Sequence, residues 1–142
     1  MRRTEVDHRP QALLIRDRWV GLILSGQKTW EMRKKPTRIR GMVALIRIGS
    51  GLVVGTADLV HSLEPLTEVD FAANVERHCI NHGDQAWAIA NGYRVAWVLK
   101  NARRLSTPVP YVHNNQQMWV RLHDDVAASI RAQGHALGNA ST

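Results

Sequence analysis

Cysteine is nearly absent: Cys79 is the single one in 142 residues, which excludes an intrachain disulfide. Long apolar runs are absent too. No stretch of about eighteen apolar residues occurs, so no membrane span is expected. The opening "MRRTEVDHRP" lacks the apolar core of a signal peptide, and a cytoplasmic location follows as an expectation. There is no internal repeat and no low-complexity tract. "GSGLVVG" has neither the lysine nor the following helix of a phosphate-binding loop. Phenylalanine and tyrosine are scarce, at one and two, against five tryptophans.

Acids are scarce at one end only. Residues 1 to 40 carry eleven Lys and Arg against four Asp and Glu, whereas residues 41 to 142 balance at eight each. The whole net charge of +7 therefore belongs to the first third of the chain. A one-sided basic surface suits a polyanion: nucleic acid first, then an acidic membrane or a phosphorylated small molecule. Hydrophobic content of 44% and charged content of 22% fit a globular chain. The length suggests one domain over residues 1–142, with a loose arm at about 1–10 and a loose tail at about 134–142.

Apolar periodicity divides the chain into short elements. "ALLIR" (12–16) predicts a strand and "DRWVGLILSG" a helix, with Asp17 as N-cap and Gly26 as its stop. "KTWEMR" alternates like a strand, "MVALIRIG" (42–49) reads as a buried strand, and "LVVGTADLV" (52–60) carries Gly55 as a bulge or bend. Thr67 opens a second helix in which Phe71 and Val75 face inward. "AWAIA" (86–90), "RVAWVLK" (94–100) and "QMWVRL" (117–122) read as strands, "STPVPY" as a stiff loop, and "DDVAASIRAQG" as a closing helix. Five to seven strands with two or three helices make a mostly β, α+β fold: a small barrel with flanking helices.

"SGQKTWEMRKKPTRIRG" (25–41) sets six bases, Lys28, Arg33, Lys34, Lys35, Arg38 and Arg40, around one acid, Glu31. Strand alternation puts Glu31 and Arg33 on one face and Trp30 and Met32 on the other, the core face. Lys28, in the turn after Gly26, can curl over Glu31. The bland outcome is a surface ion-pair ladder, worth about 0 to 1 kcal/mol. The functional one is a site in which Arg33 forks an anion, Lys28 supplies a mobile cation and Glu31 accepts hydrogen bonds from a base. Lys34, Lys35, Arg38 and Arg40 would track a nucleic-acid backbone. Trp30 and Trp97 read as core fillers, whereas Trp87, following a loop, is the candidate to stack a base.

"ALLIRDRWVGLILSGQKTWEMR" resembles the start of an ASCH domain, a branch of the PUA-like superfamily. Its GxKxxExR signature is matched by Gly26, Lys28, Glu31 and Arg33. "AWVLKNARRLSTPVPYVHNNQQMWVRL" resembles the closing part of small bacterial members, and the likeness runs over roughly residues 11–123. It implies a PUA-like barrel that binds RNA through a cleft lined by the signature. Some small members resemble one another in a Lys-Thr-Glu trio that hydrolyses acetylated cytidine, and ribonuclease activity is a further implied chemistry. Lys28 matches that lysine, but Glu31 stands where the trio has its threonine, and a carboxylate cannot supply a hydroxyl. Glu76 in the Thr67 helix is the candidate for the trio's glutamate.

An RNA or modified-nucleotide binder therefore ranks first, a hydrolase on RNA or a modified nucleoside second, and a binder of a small anionic ligand third. A catalytic Lys28 would need a lowered pKa, which Glu31 beside it opposes. "HCINHGD" holds His78, Cys79, His82 and Asp84, but with one cysteine and no second ligand cluster a metal site is disfavoured, and its histidines are expected in solvent. No cofactor is expected.

Overall fold

Several strands read as continuous apolar runs because both faces of the sheet they form are covered. The computed structural model describes residues 9–112 and 118–138. In chain order these form β1 (Gln11–Ile15), α1 (Asp17–Leu24), β2 (Trp30–Arg33), β3 (Gly41–Arg47), β4 (Leu52–Ser62), α2 (Glu68–Ala73), α3 (Val75–His78), α4 (His82–Ala90), β5 (Val95–Pro110), β6 (Trp119–Arg121) and α5 (Asp124–Arg131). The six strands lie in one mixed sheet, ordered β2-β5-β4-β3-β1-β6. Among the described residues only the β1–β3 pairing is parallel, with α1 and β2 inside its crossover. The sheet curls into a half-barrel.

Alternation along each strand sorts the side chains. Leu13 and Ile15 of β1, Val43 and Leu45 of β3, and Val95, Trp97 and Leu99 of β5 point into the half-barrel, where Val20, Ile23 and Leu24 of α1 fill it. Ala12 and Leu14, with Ala44 and Ile46, point outward and are covered by Val126, Ala127 and Ile130 of α5. Met32 and Ala96 face a third cluster built from Leu66, Phe71, Ile80 and Ala88. Gly55 lies at a register shift between β4 and β5. A Cβ there would sit 2.4 Å from Leu24 Cδ2 and 2.6 Å from the Arg103 carbonyl oxygen, so the bend expected at Gly55 is also a point of close backbone approach.

Other expectations change. Ala86–Ala90 belongs to helix α4, whose N-cap Asn81 accepts from the Asp84 amide. "STPVPY" is mostly strand: β5 runs on to Pro110, paired with Leu52. Arg16, not Asp17, is the N-cap of α1. Instead Asp17 pairs with Arg47. Phe71 is buried as expected, but Val75 is exposed. Five helices, not two or three, flank the sheet among the described residues. His135 and Leu137 are buried, so the chain is packed for several residues beyond 134. The last strand is shorter than expected, and Gln117 lies outside the described residues. Among the described residues no helix is long and apolar enough to cross a membrane.

Candidate functional site

The GxKxxExR segment is placed by the end of α1. Gly26, at φ 85°, reverses the chain, and the Lys28 amide returns to the Leu22 carbonyl at 3.0 Å. Thr29 is held on both sides, donating to Arg77 and accepting from the Leu99 amide. Lys28 is thereby turned inward and is only 2% exposed. Its Nζ donates to the His78 carbonyl at 2.5 Å, lies 3.9 Å from Glu31 Oε1 and stands 4.4 Å from the centre of the Trp19 ring.

Glu31 and Arg33 share a face of β2, as expected, but that face does not look away from the core: Glu31 pairs with Trp97 and Arg33 with Val95, both of which point into the half-barrel, and Glu31 is buried. Its Oε2 accepts from Arg33 Nε at 3.2 Å and from Nη2 at 2.7 Å. Arg33 Nη2 also donates to the Leu14 carbonyl in β1, at 2.9 Å. Strand β2 is one end of the sheet and β1 lies near the other, so Arg33 spans the mouth of the half-barrel. Trp97 of β5 stacks on Trp119 of β6, with centroids 5.7 Å apart, and Arg33 lies over Trp97. A guanidinium has five N–H donors, and three of them serve these protein oxygens. Glu31 Oε1, by contrast, accepts no hydrogen bond from a described residue.

Burial lowers the Lys28 pKa from 10.5 to about 8. Glu31 pushes the other way, and the Arg33 and Arg18 charges add to the lowering. Glu31 does oppose the lowering, as expected from the sequence, but desolvation is the larger effect.

These groups line a cleft of about 930 Å³, toward the upper end of ligand-site volumes. Lys34 and Lys35 line it as well, and so do Arg16, Arg18, Trp19, Trp87 and Tyr93. Arg38 is exposed and Arg40 turns its Nη1 to the carbonyls of Thr37 and Ile39. Neither lines the cleft, and neither does Glu76, which is exposed and paired with Arg77.

Sequence reasoning missed several contributors, Arg16 and Trp19 among them. Arg18 sits over Trp19 and pairs with Asp84 across 3.4 Å. Tyr93 stacks on Trp87. His78, expected in solvent, is fully buried. Its Nδ1 accepts from the Ile80 amide at 2.9 Å, so Nε2 carries the proton donated to the Phe71 carbonyl at 2.7 Å. Burial lowers its pKa, keeping the ring neutral. This ring fixes the turn whose carbonyl holds Lys28. A polar "HCINH" run gives no sign of that burial. His82 is exposed, as expected.

The ASCH domain profile matches residues 13–109. Among solved structures the chain is similar to an ASCH protein from Zymomonas mobilis, with a TM-score of 0.71 at 12% identity, covering 89% of this chain and 96% of that one. Two point variants of that protein superpose alike, at TM-scores of 0.69 and 0.70 and 12% identity, covering 87% and 89% of this chain and 97% and 96% of theirs. No curated protein matches the sequence. The shared architecture is the PUA-like half-barrel.

Proposed function

The chain belongs to the ASCH domain family, and from that premise we propose that it is an RNA- or modified-nucleotide-binding module that takes an unstacked base into its cleft. The observation that carries this is the buried pair of Lys28 and Glu31. The lysine spends one of its three N–H donors on His78, and Glu31 Oε1 accepts nothing from the described residues. Donor and acceptor stand side by side on the floor of a cleft walled by aromatic and basic residues. A base edge offers the complementary pair, and a polyphosphate alone would not call for a buried carboxylate. Arg33 acts mainly as the strut that holds Glu31. Lys34 and Lys35, both exposed on the cleft wall, meet the phosphates.

Lys28 supports a second reading. An amine with a pKa near 8 is partly neutral at working pH and can act as a nucleophile or base, so the same cleft could hydrolyse RNA or an acylated nucleoside. Incubation with radiolabelled single-stranded RNA and with acetylated cytidine separates the two. Retention of intact RNA, lost in Lys28→Ala, is the expected result. Product formation abolished by Lys28→Ala would promote the hydrolase. Neither retention nor product would leave a small anion as the ligand.

A further inference from the structure

Trp87 is 62% exposed although its ring lies against another aromatic ring. It stacks on Tyr93 with centroids 5.7 Å apart and planes 16° from parallel. The local cause is the end of α4. Gly92, at φ 84°, donates to the Ile89 carbonyl and Tyr93 donates to the Ala88 carbonyl. This is a Schellman stop, which brings the residue after the glycine back onto the last turn. A cap of this kind needs only an apolar contact, and leucine would supply it. It gives no reason for an indole with most of its surface in water.

The surroundings supply one. Trp87 and Tyr93 line the same cleft as Lys28 and Glu31. The other cleft tryptophan, Trp19, already has Arg18 and Lys28 against its ring. Lys34 Nζ stands 5.1 Å from the Tyr93 ring centre, a cation beside the exposed stack. The acid one turn before Trp87, Asp84, is paired with Arg18, which offsets its repulsion of a phosphate. An exposed flat ring beside a cation, continuous with a base-sized cleft, fits a base and its phosphodiester.

We propose that the Trp87–Tyr93 stack is a second nucleotide subsite, which takes the base next to the one held in the cleft. The ligand is then a single-stranded segment of at least two nucleotides rather than a free nucleoside. This rests on the base-binding role proposed for the cleft, and the test keeps the two apart.

Calorimetric titration of the full chain would compare, for each of the four bases, a nucleoside monophosphate, a nucleoside 3′,5′-bisphosphate and the matching dinucleotide. The bisphosphate adds charge without a second base. The expected gain of dinucleotide over bisphosphate is on the order of tenfold, as a stacked base gives. Within Trp87→Leu, which keeps an apolar cap contact, that ratio should fall to about one, and within Trp87→Phe most of it should return. A ratio near one in the native chain, with monophosphates still binding, overturns the second subsite alone. A ratio that survives in Trp87→Leu overturns it as well. Failure of every nucleotide to bind would overturn the cleft's role and this inference together.

Discussion

Lys28 lies 3.9 Å from a carboxylate, and an ammonium so placed ordinarily holds its proton more tightly. Its pKa falls to about 8 all the same, because Glu31 offsets only part of the cost of burying the charge. Two consequences follow. Affinity for an anionic ligand should weaken as pH rises through about 8, rather than near 10.5 as for an ordinary lysine. Stability should move the opposite way. Between about pH 8 and 10.5 the unfolded chain keeps a proton that the folded chain has released, so folding gains with rising pH. Denaturant titrations of the native chain and Lys28→Met should diverge in favour of the native chain over that window, by up to about 3 kcal/mol. A constant difference would mean that Lys28 titrates normally. The lysine and its carboxylate were visible in the spacing GxKxxExR. The burial that decides between them was not, because it comes from Trp19, His78 and the α3 turn, elsewhere in the chain.

"AWAIA" reads as a strand, its large and small apolar side chains alternating, yet it forms the second half of helix α4. The signals that mark it, Asn81 before the helix and "NGY" after it, were present in the sequence. The far half of β5 differs from expectation in the opposite sense. Pro108 and Pro110 suggest a loop, yet β2 pairs only with Val95 to Val98, so the later residues of β5 have an edge where a missing N–H is tolerated. Gly55 was legible as a bend, and its environment sharpens that into a forecast. Gly55→Ala forces a methyl group against the Arg103 backbone and should cost about 1 to 3 kcal/mol, measured as a lower unfolding midpoint. An unchanged midpoint would mean that β4 and β5 can separate freely there. The turn after α3 carries a further prediction. His78 serves the Ile80 amide as a neutral acceptor, and burial lowers its pKa from 6.5. His135, 2.5 Å from Thr56 Oγ1, is also lowered, chiefly by burial. The unfolded chain therefore takes up protons first as pH falls below 6.5, and stability should drop with it. Ring signals followed by NMR should titrate below 6.5 for both histidines, and a normal value at His78 would remove the neutral clamp on Lys28.

Across the whole molecule, the excess charge of the first third is brought to one cleft, though not in full. Of the six bases in residues 25–41, Lys28, Arg33, Lys34 and Lys35 line it and Arg38 and Arg40 do not. Periodicity cannot tell a loop cation that reaches the cleft from one that binds its own turn, as Arg40 does. Lys35→Ala should therefore reduce the slope of log affinity against log salt by about 0.7 for single-stranded RNA, the loss of one phosphate contact, with every sequence weakened alike. Arg38→Ala should leave the slope unchanged. Glu31, the lone acid of the basic segment, is proposed to select a base. Equilibrium titration of the native chain and Glu31→Gln with the four RNA homopolymers at fixed salt decides it. The native chain should prefer some homopolymers over others, and that preference should shrink by roughly 1 to 3 kcal/mol in Glu31→Gln, whatever happens to overall affinity. Uniform tightening of all four by Glu31→Gln, with the preference unchanged, would contradict it and reduce Glu31 to a counter-charge for Lys28 and Arg33.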